Sequence, residues 1–155
     1  RTVVFTGKGN KAKPLATGWL SPSSFAVSGV KYMQFWTQQH KGFVSRKGVF
    51  GLKNRILPLT SMQVIPENEK YPESHIITGA SDGTLYVWES DKRTCSALKP
   101  RYPMDKTAIN SLVYIPSNTA SVGEDRNANA LPYELLLTGG RSGKMTCWKR
   151  DGNRT

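Results

Sequence analysis

A short motif that recurs three times constrains this chain more than its composition does. In Ser74 to Ser90 (SHIITGASDGTLYVWES) a β-branched run, HIITG, leads into a turn, ASDG, and then into TLYVW, which alternates inside and outside and ends on an aromatic residue. This is the pattern of a β-hairpin. It returns as ELLLTGGRSGKMTCWKR at Glu134 to Arg150 and as SFAVSGVKYMQFWT at Ser24 to Thr37. The shared frame is three apolar residues, Ser or Thr, Gly, a short turn, an alternating strand and Trp. Trp36, Trp88 and Trp148 therefore fall 52 and 60 residues apart, longer than the roughly 40–45 residues of a compact propeller repeat.

The sequence between the hairpins accounts for the excess. Upstream of each hairpin is another apolar stretch, LATGWL from Leu15, LPLTSMQVI from Leu57 and AINSLVYI from Ala108, closed by Pro22, Pro66 and Pro116. These are predicted first strands. FVSRKGVF at Phe43 to Phe50 and TCSAL at Thr94 to Leu98 fit a fourth, outer strand. SNTASVGEDRNANAL after Pro116 is polar and aperiodic and reads as a solvated loop insertion, and ENEKYPES at Glu67 to Ser74 is a smaller one. Four antiparallel strands per unit, three times over, predict an all-β chain of β-propeller blades. The expected division is an outer strand of a preceding blade and connector at 1–12, then blades at 13–51, 52–103 and 104–155. The last carries the long loop at 117–131 and an incomplete outer strand.

At this level the sequence resembles the WD-repeat family. SDGTLYVWE is close to that family's SxDGTxxxWD, and the resemblance implies that Asp82 is a buried structural aspartate sharing a hydrogen-bond network with Thr78 and Trp88. Ser28 and Thr138 stand in the same frame beside Trp36 and Trp148. Thr37, Glu89 and Lys149 replace the Asp that follows Trp, Ser142 replaces the turn Asp, and no Gly-His pair precedes a first strand. Apolar contacts are therefore expected to matter more than a complete hydrogen-bond tetrad. A narrower likeness lies in Phe25 to Gly51, which is similar to a characteristic blade of the echinoderm microtubule-associated protein-like family: a hairpin shortened by two residues leads into FWT, a polar loop, the basic pair Arg46-Lys47 and GVFG. That resemblance implies association with tubulin or microtubules and a cytoskeletal role.

Three blades do not close a ring, so the chain is expected to be a piece of a longer protein or to complete itself with other blades or a second copy. The net charge is +11, from 22 Lys and Arg against 11 Asp and Glu. This favours an acidic partner. The basic residues are scattered through inter-strand loops, and no nucleic-acid-binding motif accompanies them, so the charge equally fits solvated sheet edges. Cys95 and Cys147 lack a spacing motif and read as buried free thiols in a reducing, cytoplasmic compartment. No apolar run approaches the ~20 residues of a membrane helix.

Catalytic and cofactor chemistry finds no footing. GGRSGKMT at Gly139 to Thr146 has Gly-Lys after a turn, but Thr138 and Met145 stand where a phosphate loop needs Gly and Ser or Thr, and a strand follows rather than a helix. His40 and His75 have no triad or metal spacing, and Asp82, Asp125 and Asp151 read as turn formers. The recurrence of Trp36, Trp88 and Trp148 at one strand position assigns them to the core. Candidate partner-binding residues are the aromatics and cations of loops and turns: Tyr32, Arg46, Lys47, Arg101, Tyr102, Arg141 and Lys144. The expected function is a non-enzymatic scaffold without cofactors that binds tubulin or microtubules. The alternatives are a generic interaction propeller, in ciliary transport or a ubiquitin ligase, and a basic nucleic-acid-binding propeller.

Overall fold

A computed structural model describes residues 6–40, 42–51, 55–67, 74–89, 92–97, 106–117 and 134–149. They form eleven strands and no helix, in three antiparallel sheets. The first sheet contains β1 (Pro14–Ser21), β2 (Ser24–Gly29), β3 (Tyr32–Gln39) and β4 (Gly42–Lys47). β5 (Leu59–Ile65), β6 (His75–Ala80), β7 (Leu85–Glu89) and β8 (Thr94–Ala97) make the second. The third has three strands, β9 (Ile109–Ile115), β10 (Leu135–Gly140) and β11 (Met145–Lys149). Within each sheet the strands pair in chain order. All but one residue of the loop expected at 117–131, and everything beyond Lys149, lie outside the described residues.

One backbone hydrogen bond recurs in every sheet and fixes which residues correspond. The residue after the second strand donates to the carbonyl just before the first strand: Val30 to Lys13 (3.1 Å), Ser81 to Pro58 (2.9 Å) and Arg141 to Ala108 (2.8 Å). Gly29, Ala80 and Gly140 are then equivalent, facing Pro14, Leu59 and Ile109 across the ladder, each beside a register shift. On this correspondence Trp36, Trp88 and Trp148 coincide, facing Phe25, Ile76 and Leu136.

The same register corrects the place of Ser28. The residue matching Thr78 and Thr138 is Val27, which faces Gln34 as Thr78 faces Tyr86. Of the two residues missing from the first hairpin, one comes from the turn, which shrinks to Val30 and Lys31 with Lys31 at φ 64°, and the other is this slip of one position along β2. Because side chains alternate across a strand, the slip turns the Ser28 hydroxyl to the opposite face of the sheet. Ser28 is fully buried and donates to the Leu59 carbonyl at 3.5 Å, the long limit of such a bond.

The consequence is a difference between three tryptophans that look alike in sequence. Trp88 Nε1 donates to Thr78 Oγ1 at 2.9 Å and Trp148 Nε1 to Thr138 Oγ1 at 3.1 Å. Trp36 has Val27 there and instead stacks on Phe25, with centroids 5.8 Å apart and planes at 6°. Val27→Thr would restore an acceptor at that place. It is expected to raise stability by about 0.5–1.5 kcal/mol, read as a higher urea midpoint; a fall of that size would mean the indole cannot reach position 27.

The core lies between the sheets in two layers. Ala26, Met33 and Phe35 of the first sheet meet Leu59, Ile76, Tyr86 and Trp88 of the second, with Phe50 between them. Ile77 and Leu85, on the other face of the second sheet, meet Ile109, Leu112 and Leu136 of the third. β5 neighbours both β1 and β9. Close approach there requires small residues: a Cβ on Gly18 would lie 2.7 Å from Val64 Cγ2, and one on Gly79 would lie 2.6 Å from Ile109 Cβ. Hydroxyls cross the second seam too, since Thr60 Oγ1 and Ser61 Oγ both donate to the Ile109 carbonyl at 2.6 Å.

Candidate binding cleft

Sequence reasoning extends the fourth strand of the first sheet from Phe43 to Phe50, but β4 ends at Lys47. Gly48 then donates to the Met33 carbonyl at 2.8 Å, and Val49 crosses to the second sheet. There Val49 N–H donates to the Arg93 carbonyl (2.8 Å), Cys95 N–H donates to the Val49 carbonyl (3.2 Å), and Val49 pairs with Thr94 in an isolated parallel bridge. The first two sheets are thereby tied along their outer edges. At the end of the strands away from the β2–β3 and β6–β7 turns they enclose a cleft of about 500 Å³.

Among the described residues, Phe35 and Trp36 give the cleft apolar lining, Ser21, Ser24, Thr37 and Gln39 offer polar groups, Arg46 and Arg93 add two cations, and Glu67 is the single acid. Arg46 faces Phe35 across the β3–β4 ladder, so it lies on the side of the sheet turned to its neighbour. Arg93 is held in the left-handed region at φ 57°, in the turn into β8. Its N–H donates to the Glu89 carbonyl at 2.8 Å, and an exposed Lys92–Glu89 ion pair at 2.7 Å braces the same turn. Two guanidinium groups beside an apolar lining suit a segment that carries both carboxylates and apolar side chains.

The remaining candidates do not converge here. Lys47 follows Arg46 directly and so lies on the opposite face of the sheet, against Gln34. Tyr32, Arg141 and Lys144 belong to the hairpin-turn end. Tyr32 is half-buried, its ring packed over Gly29, and burial raises its phenol above the usual value. Arg141 and Lys144 are exposed. Arg101 and Tyr102 lie outside the described residues.

Asp82 forms a turn as its sequence context predicts, but the buried network role that the resemblance implies for it and the buried reading of the cysteines need correction. Asp82 is half-exposed, and its Oδ1 accepts from the Thr84 N–H at 3.0 Å while Oδ2 lies 3.7 Å from Arg55. It closes the turn through Gly83 (φ 86°) rather than joining Thr78 and Trp88. Ser142 occupies the matching place in the third hairpin, accepting from Lys144 N–H at 3.4 Å before Gly143 at φ 82°. Cys147 is exposed, and Cys95, partly buried, donates to the Phe50 carbonyl at 3.5 Å.

Arg93 escaped sequence reasoning because its partner in the cleft is 47 positions away. The only local sign was a basic pair, Lys92-Arg93, shortly after a repeat tryptophan. Among the described residues no group of His, Cys, Asp and Glu could hold a metal ion, and no helix is long and apolar enough to cross a membrane.

Fold and cleft together define an all-β protein of repeated antiparallel sheets with an arginine-flanked groove between two of them. No protein-family model matches the sequence, and no curated protein matches it. A solved structure described as the crystal structure of the computationally designed Ika4 protein is similar with a TM-score of 0.47 and 13% identity, over 97% of this chain and 99% of that one. A likeness at that level carries no argument about function.

Proposed function

We propose that the chain is three consecutive blades of a WD-repeat β-propeller, similar to the echinoderm microtubule-associated protein-like family, acting as a non-enzymatic scaffold for tubulin or microtubules. The observation that carries the propeller reading is the hydrogen bond repeated at Val30, Ser81 and Arg141, which gives three sheets one register and one strand order. An acidic protein partner is supported by the net charge of +11 and by the presence of Arg46 and Arg93 in one cleft with Phe35 and Trp36. Basic side chains would steer the glutamate-rich tails of tubulin, and the aromatic lining would supply affinity once they arrive.

Cosedimentation with polymerised tubulin tests this reading. The chain is expected to pellet with microtubules at low salt and to be released as salt rises. Combining Arg46→Glu with Arg93→Asn, which tolerates the left-handed turn, is expected to weaken binding about tenfold, equivalent to roughly 1.4 kcal/mol. Absence of binding at low salt sinks the tubulin assignment. Equal binding to duplex DNA would replace it with a nucleic-acid reading.

A further inference from the structure

Among the described residues no second sheet covers the outer face of the first or of the third sheet, and the internal seams show what those faces are shaped to meet. At both seams, one sheet presents the face bearing its tryptophan and the other presents the opposite face. Trp88 with Ile76 lies toward the first sheet, and Trp148 with Leu136 and Tyr114 toward the second. The surfaces that receive them are Ala26, Met33 and Phe35 in the first sheet and Ile77, Leu85 and Val87 in the second. By register, the third sheet carries the matching receiving set in Leu137, Met145 and Cys147, with Val113 of β9 alongside. Met145 is 86% exposed, Val113 is 50% exposed, and Cys147 is exposed.

The first sheet offers the complementary half. Trp19, Trp36 and Phe43 each pack against Phe25, at 5.4, 5.8 and 5.2 Å, so that aromatic contacts reach all four strands. Trp19 and Phe25 stand where Val64 and Ile76 stand in the second sheet and where Tyr114 and Leu136 stand in the third. Trp19 is nevertheless 65% exposed. Between residues 7–10 and this face there is also a gap of about 250 Å³, bounded by Phe25, Val27, Gln34 and Trp36.

Polar groups agree with the apolar match. The first-strand carbonyls of Leu59 and Ile109 accept hydroxyls from the preceding sheet, Ser28 at the first seam and Thr60 with Ser61 at the second. Ser111 of the third sheet holds the register position of Ser61, facing Gly139 as Ser61 faces Gly79, and is exposed. The carbonyl in the register position of Leu59 and Ile109 is that of Pro14. Gly139 keeps the opening that Gly79 gives to Ile109, since among the described residues the atoms within 4 Å of a Cβ there belong to Ser111.

We infer that the third sheet of one chain docks on the first sheet of a second copy, with Met145, Cys147 and Val113 against Trp19 and Phe25 and with Ser111 Oγ donating to the Pro14 carbonyl of the partner. The contact is head-to-tail: two different faces meet, so each chain offers one of each. This inference rests on the repeat register and not on the tubulin reading. The two also respond oppositely to salt. Chains of charge +11 repel one another, so self-association is expected to strengthen as salt rises, whereas binding to an acidic partner weakens.

Sedimentation equilibrium of the unsubstituted chain, of two variants and of their mixture tests it. The intact chain is expected to self-associate, and Met145→Arg or Trp19→Arg to abolish this, both sites being exposed enough to leave the fold intact by circular dichroism. Mixing the two variants is expected to restore a 1:1 pair, because one keeps the tryptophan face and the other the receiving face. Maleimide labelling of Cys147 is expected to slow at least about tenfold on assembly, in line with a core contact in a complex. A monomeric intact chain at raised salt overturns the inference. So does a mixture that stays monomeric, since it would leave the contact symmetric or elsewhere.

Discussion

Trp88→Ala is expected to destabilise the chain by about 3–5 kcal/mol, the largest effect of any of the three repeat tryptophans. Its side chain is wholly buried. The indole sits edge-on to Phe50 with centroids 5.0 Å apart and to Phe35 at 6.2 Å, so it touches both the first sheet and the segment that crosses to it. It also has a buried polar group to satisfy, and does so through Thr78. Thr78→Val would strand that N–H and is expected to cost about 1–3 kcal/mol by itself. Trp36 loses no such bond when truncated, and Trp148 is only partly buried, so alanine at either place should cost less. Urea unfolding followed by circular dichroism gives the ranking. Equal losses at Trp36 and Trp88 would show that the cross-strand hydroxyl adds nothing.

How much of this could be read from the sequence depends on how local the cause is. The hairpins follow from alternation, a turn and an aromatic, all within about fifteen residues, and the strands lie close to where that pattern puts them. Pro22, Pro66 and Pro116 mark strand ends because a proline lacks the donor a ladder needs. The register of the first hairpin was not legible in the same way. A Ser-Gly pair occurs at positions 28 and 29 and a Thr-Gly pair at 78 and 79, and only the cross-strand partners reveal that the two pairs differ by one position. For Asp82 the turn-forming reading stands, and the buried role that the resemblance implies fails for a related reason. Asp-Gly in a turn satisfies its own backbone first, and the Thr84 N–H is nearer in sequence than any indole. The cleft is the least legible part, since Arg46 and Arg93 line one cleft only where Val49 carries the chain from one sheet to the next. Cys147 reads as a buried thiol because no spacing motif pairs it; its counterparts by register, Phe35 and Val87, pack into the seams, while its own face is exposed.

The second large effect concerns that crossing. Phe50→Ala is expected to cost about 3–5 kcal/mol, because its ring fills the space between the sheets against Tyr86 (6.0 Å) and Trp88 (5.0 Å). Gly48, two residues earlier, explains why the chain can enter there. A Cβ at that position would lie 2.7 Å from the six-membered ring of Trp88 and 2.9 Å from Met33 Cβ, and neither neighbour is the free end of a flexible chain. Gly48→Ala is therefore expected to cost about 1–3 kcal/mol through overpacking. If the Trp88 ring is the obstacle, shortening it should relieve the strain: in a Trp88→Phe background the cost of Gly48→Ala should fall by at least about 0.5 kcal/mol. A double-mutant cycle in urea measures that coupling. Strict additivity would move the cause of the glycine to Met33 and the backbone beside it, and would leave Phe50 as the only side chain of this segment whose fit depends on Trp88.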